Sequence, residues 1–118
     1  MYVDGFVVPV PTGKKDAYIA MARKGWELFK EFGATRQVEC WGDDVPKGKL
    51  TDFQGSVKAT DGETVVFSWI EWPNKALRDE GHKKMMSDPR MKEWGKDMPF
   101  DGKRMIFAGF VPVFDQSK

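Results

Sequence analysis

"DGETVVFSWIEW", residues 61–72, decides the fold. Asp61 and Gly62 make a turn, and the residues after them are rich in β-branched and aromatic side chains. Alternation along a strand puts Val65, Phe67 and Trp69 on one face and Val66, Ile70 and Trp72 on the other. An antiparallel strand with one wet side alternates apolar with polar residues, and this one does not. It is expected at the centre of a sheet, with helices on one face and further cover on the other.

The neighbouring segments supply the other elements. Pro73 ends the strand, and Asn74 can cap a helix over "KALRDEGHKKMMS", whose apolar stripe is Leu77, Met85 and Met86. Asp88 before Pro89 is a cap and first turn, so "PRMKEW" reads as a short helix with Met91 and Trp94 on its buried side. A last strand is expected in "KRMIFAGFVPVF", starting at Lys103. Upstream, "YVDGFVVPV" (2–10) is a strand closed by Pro9 and Pro11. Thr12 can cap a long helix in which Tyr18, Ala22, Trp26 and Phe29 recur at helical spacing, and Gly33 stops it. Thr35 to Trp41 reads as a second strand. The connection from 42 to 63 exceeds the usual 4 to 6 or so residues, and Phe53 with Val57 suggests a helical turn or two around Asp52 to Ala59.

The order strand, helix, strand, strand, helix, strand predicts an α+β, ferredoxin-like split βαβ domain spanning residues 1–118. Both helices lie on one face of its four-stranded antiparallel sheet. Trp69 or Trp72, with rings from Phe6, Trp41, Phe107 or Phe110, must then point to the opposite face, which a single chain has nothing left to cover. Two sheets packed face to face in a twofold homodimer resolve this.

Composition narrows the function. Nineteen basic and 18 acidic residues leave a net charge of +1, far from the cationic excess that nucleic acid or anionic membranes select. Cys40 is the only cysteine, so neither an internal disulfide nor a cysteine zinc cluster can form within one chain. No leader is read in "MYVDGFVVPVP" and no run approaches the roughly 20 apolar residues of a membrane span, which points to the cytoplasm. Aromatic residues make up 14% of the chain, with five Trp and nine Phe, so large rings carry much of the burial.

Five stretches, "YVDGFVVPVP" (2–11), "ECWGDDVP" (39–46), "VVFSWIEWP" (65–73), "MMSDPRM" (85–91) and "MPFDGKRMIFAGF" (98–110), resemble a family of small bacterial proteins, domain of unknown function 1428. The resemblance spans nearly the whole chain. It implies the dimeric α+β barrel superfamily, whose other branches include cofactor-independent monooxygenases, degradative enzymes and ligand-binding modules, and it implies no established reaction.

Candidate site residues each carry two readings. Asp101 and Arg104 belong to turn chemistry ahead of the last strand, or they form a polar ligand contact, since an Arg fork suits a carboxylate. His82 is the only histidine and so the natural general base, yet it sits beside the apolar stripe of its helix. As a bystander, its replacement by Ala should change stability by no more than about 1 kcal/mol. Glu71, between Ile70 and Trp72, should have either a raised pKa or a cationic partner. Cys40 reads as a buried packing residue. Asp43 and Asp44 are far short of a metal's ligand set, so no metal is expected. Trp41, Trp69, Trp72 and Trp94 form core, dimer seam or the wall of an apolar cavity, where Ser68, Glu71 and Arg104 would supply polar groups.

The leading expectation is a homodimer binding a small apolar or aromatic molecule between sheet and helices, without a cofactor, through Trp41, Ser68, Trp69, Asp101 and Arg104. The alternatives are a cofactor-independent oxygenase or isomerase using His82, Glu71 or Arg104, and a scaffold dimer.

Overall fold

A computed structural model describes residues 1–118. Strand β1 (Tyr2–Pro11) leads through a 3-10 turn into helix α1 (Lys15–Glu31), followed by β2 (Arg36–Trp41) and the short α2 (Phe53–Ser56). Then come β3 (Glu63–Trp72), α3 (Lys75–Ser87), α4 (Pro89–Trp94) and β4 (Ile106–Phe110). The sheet is antiparallel in the order β2-β3-β1-β4, the ferredoxin-like arrangement. As the sequence requires, β3 is central. No helix is long and apolar enough to cross a membrane.

Local chemistry fixes the helix ends. The Asn74 side chain accepts from the Leu77 N–H at 2.8 Å, and Asp88 accepts from the Arg90 N–H at 2.8 Å. Asp52 caps α2 by accepting from the Gly55 N–H at 2.6 Å. Thr12 does not cap α1; its hydroxyl instead meets that of Thr64 at 2.8 Å. Gly33, at φ +113°, ends α1 in a conformation that favours glycine. Pro9 and Pro11 are tolerated in an interior strand because β4 pairs only with Val3 to Val7, so both lie beyond the end of that ladder.

Register settles the faces. Tyr2, Asp4, Phe6, Val8 and Val10 share the helix side with Gln37, Glu39, Trp41, Ser68, Ile70, Trp72 and Phe107. The outer side carries Val3, Val7, Val38, Cys40, Phe67, Trp69, Glu71, Ile106 and Phe110. Trp72 is fully buried under α3. Two glycines set the helix positions. A Cβ on Gly81 would come within 2.7 Å of both the Trp72 ring and the Phe32 carbonyl, and one on Gly25 within 2.6 Å of the Trp94 ring. Glycine thus lets α3 lie directly over Trp72 and lets α4 dock on α1, where Trp94 donates to the Met21 carbonyl at 2.8 Å.

Three further expectations are corrected. The outer face is partly roofed within one chain: α2 packs over it, with Phe53 edge-on to Phe67 at 6.2 Å and Val57 buried, and at that end Pro9 and Val65 are buried too. The last strand begins at Ile106 instead of Lys103, because Asp101 closes a turn to Arg104 and its side chain takes the Lys103 N–H at 3.0 Å. Cys40 is exposed, since β2 is an edge strand and nothing lies over its outer side at that point.

Arg104 straps the loop before β4 to the start of β3. Its guanidinium grips both oxygens of Glu63 at 2.7 Å each, and also meets the Lys58 carbonyl at 2.9 Å and Asp101 at 3.0 Å. The Arg104 hydrogen bonds lower the Glu63 pKa from 4.5 to about 2, against the opposing effect of burial. A folded-state pKa depressed in this way gives stability that is complete above pH 4.5 and lost as the pH falls toward about 2. Glu63→Gln is therefore expected to be less stable than the parent protein at neutral pH. Urea midpoints followed downward in pH should converge by about pH 2.

Candidate functional site

The helix side of the sheet is not filled. A cavity of about 570 Å³ lies between it and α1, α3, α4 and the loop before β4. Six of the chain's seven methionines line it: Met21, Met85, Met86, Met91, Met98 and Met105. Methionine is unbranched and polarisable, so a wall built from it adapts to ligands of varied shape. Phe6, Phe29, Trp94, Phe100 and Phe107 add rings. Met86 and Phe107 are 85% and 60% exposed and mark the mouth, beside Lys92.

Polar groups occur at two places on this wall. The first is on β2 and α1. Tyr18, only 4% exposed, donates to Glu39 Oε1 at 2.7 Å, and Gln37 Nε2 donates to Glu39 Oε2 at 2.9 Å. Burial, and then the adjacent Glu39 charge and hydrogen bond, push the Tyr18 phenol far above its ordinary value and keep it a proton donor. Glu39 can only accept, which orients the Gln37 amide and leaves Gln37 Oε1 buried without a partner. Ser68, 2% exposed, lies beside them on β3.

The second place is Asp4, 1% exposed on β1. Its Oδ2 accepts from Trp72 Nε1 and His82 Nε2, each at 2.9 Å. Its Oδ1 accepts from Arg78 Nε at 3.0 Å and Nη2 at 2.7 Å. Burial pushes the Asp4 pKa up, but the His82 and Arg78 contacts outweigh it and hold the carboxyl below its ordinary 3.8. Arg78 also lies over the Tyr2 ring, 5.1 Å from its centroid. His82 itself lines the cavity, with its ring edge-on to Trp72 at 5.5 Å.

Of the residues singled out from sequence, Ser68, His82 and Trp94 reach the cavity. Trp69 and Glu71 do not: both lie on the outer face, where Trp69 Nε1 donates to Glu71 at 2.9 Å and Arg36 stands 3.5 Å away as the expected cationic partner. Arg104 and Asp101 are bound to each other, and Glu63 occupies the Arg104 fork. Trp41 packs beside the core of Val8, Val10, Tyr18 and Val66, with the Lys15 ammonium 5.7 Å from its ring centroid. His82 is no bystander, because it holds a buried carboxylate.

Tyr18, Gln37, Glu39 and Asp4 escaped notice in the sequence. A signal for the β2 pair was present: in "RQVECW" the polar Gln37 and Glu39 alternate with Val38 and Cys40, so one face of that strand is polar. Nothing local marks Asp4, whose partners lie 68 to 78 residues away.

The sequence matches the family described as "Protein of unknown function (DUF1428)" over residues 1–102. It is 65% identical over 115 residues, 98% of each chain, to "Uncharacterized protein YbaA" of Escherichia coli strain K12. Among solved structures, an uncharacterized NIPSNAP domain protein from Burkholderia xenovorans superposes with a TM-score of 0.66 at 17% identity, covering 99% of this chain and 100% of that one. A dimeric ferredoxin-like protein from an uncultured marine organism gives 0.63 at 11% identity, with both chains fully covered. Identities this low establish a common fold and nothing more.

The Asp4 contacts set an energetic expectation. Asp4→Ala leaves the buried Trp72 N–H without its acceptor and Arg78 with Asp79 alone, and should cost about 3–5 kcal/mol. His82→Ala removes one of four hydrogen bonds to a buried charge and should cost about 1.5–3 kcal/mol, above the sequence-based expectation. Urea denaturation at neutral pH measures both; two unchanged midpoints would mean that the contacts do not hold in solution.

Proposed function

This chain belongs to the DUF1428 family, whose function is not established, and on its geometry we propose that it is a homodimeric module binding a small, largely apolar or aromatic molecule in the helix-side cavity. The observation that carries this reading is the methionine-lined space itself. A volume of about 570 Å³ lies within the range of roughly 300–1,000 Å³ found for small-molecule sites. Its wall is mainly apolar, with a few fixed polar groups, and it opens at a mouth beside Met86.

Assembly concerns the other face. Phe67, at the edge of the α2 cover, is 46% exposed there, and Ile106 and Phe110, beyond it, are 46% and 57% exposed. Such a contiguous apolar face favours a partner, and a second copy of the same sheet is self-complementary about a twofold axis. The marine ferredoxin-like relative of this fold is described as dimeric.

Both halves can be tested with two variants. 2-Methoxynaphthalene, an apolar ring without a hydrogen-bond donor, is expected to quench tryptophan fluorescence saturably. Ser68→Leu, which extends a side chain into the cavity, should weaken that binding at least tenfold without altering the oligomer. Phe67→Glu should turn a dimer into a monomer in sedimentation analysis and leave naphthalene binding in place. A monomeric parent protein would refute the assembly, and unsaturable quenching would refute the cavity.

A further inference from the structure

Besides the Ser68 hydroxyl and the Lys92 ammonium, which can donate, the cavity wall carries two acceptor atoms without a partner in the chain. Gln37 Oε1 is buried and unpartnered, its orientation fixed because Nε2 is committed to Glu39. The Tyr18 hydroxyl, a donor in principle, is spent on Glu39. At the other place the same logic fixes a tautomer. The Asp4 carboxylate, ionised beside Arg78, can only accept, so the His82 nitrogen 2.9 Å from it, Nε2, carries the proton. In the neutral ring Nδ1 then holds a free lone pair, and it makes no hydrogen bond within the chain.

The spacing follows from the register. Asp4 and Gln37 both pair with Ile70, so they lie in one cross-strand row with a single strand between them. Two strand spacings place them roughly 10 Å apart at the backbone. His82 stands over Asp4 at one end of this row and Gln37 at the other, with Ile70 and the apolar cavity between.

We infer that the ligand is a two-headed hydrogen-bond donor: an apolar or aromatic body with a hydroxyl or amine at each end, one donating to Gln37 Oε1 and the other to His82 Nδ1. This rests on the cavity reading above and adds the chemistry of the occupant. A molecule bearing acceptors at both ends would leave Gln37 Oε1 unpaired and set its own lone pairs against those of the wall. Excluding the wrong occupant is where such polar groups discriminate most strongly.

The test compares 2,6-dihydroxynaphthalene with 2,6-dimethoxynaphthalene, which share a ring and differ in donors. The diol is expected to bind at least tenfold more tightly than the diether. Gln37→Leu and His82→Phe should each remove most of that difference. Because His82 is the only histidine, nitrogen-15 labelling of imidazole gives one pair of ring signals in the unaltered protein, whether or not the variants fold well. Free protein should show Nε2 protonated and Nδ1 bare, and the diol alone should shift the Nδ1 signal. Equal affinities, an Nδ1-protonated tautomer or an Nδ1 signal indifferent to bound diol would overturn the inference while leaving the cavity reading intact. Failure of both compounds to bind would overturn the two together.

Discussion

A single buried carboxylate organises this protein. Asp4 sits on an interior strand of the sheet and receives four hydrogen bonds, from Trp72 on β3 and from Arg78 and His82 on α3. Isolated burial would favour its neutral form, and these donors reverse that preference. The charge is therefore tolerable only when β1, β3 and α3 are all in place. Apolar packing alone could let α3 slide along the sheet, whereas the Asp4 contacts, with the close approach at Gly81, define one position for it. The cavity wall formed by His82, Met85 and Met86 inherits that position.

The two faces of the sheet then divide the work. On the helix side, α1 and α3 stand off enough to leave a methionine-lined space, with Glu39 oriented by Tyr18 and Gln37 at one place and Asp4 by Arg78 and His82 at another. These polar groups hold one another and leave Gln37 Oε1 without a partner. On the outer side, α2 covers one end and Phe67, Ile106 and Phe110 stay half open. In the proposed reading, ligand and partner address opposite surfaces of the same strands, and Phe6, stacked on Phe107 at 6.0 Å, contributes to the first of them.

Much of the fold was legible because its signals are local. Asn74 and Asp88 cap the helices the sequence assigns to them, Gly33 stops α1, and the doubly apolar "VVFSWIEW" lies at the centre of the sheet. The site was less legible because it is built from distant pairings. Asp4 carries no local mark, because its partners Arg78 and His82 lie 74 and 78 residues further along the chain. Arg104 offered a fork suited to a ligand carboxylate, and Glu63, 41 residues earlier, occupies it. Cys40 looked like packing because residue type predicts burial only where something lies above the residue, and β2 is an edge. The methionines at 85, 86, 91, 98 and 105 belong to two helices and the segment before β4, and only the fold turns them toward one space.

Hydrogen exchange of the Trp72 indole proton tests the organising role of Asp4 most directly. That proton is bonded to Asp4 Oδ2 at 2.9 Å beneath α3, on a side chain with no exposed surface. If the carboxylate locks strand to helix, the proton should exchange only when the whole molecule unfolds, at the rate shown by the slowest backbone amides of β1 and β3. Exchange orders of magnitude faster than those amides would mean that α3 lifts from the sheet on its own, and would contradict the central place of Asp4 in the fold.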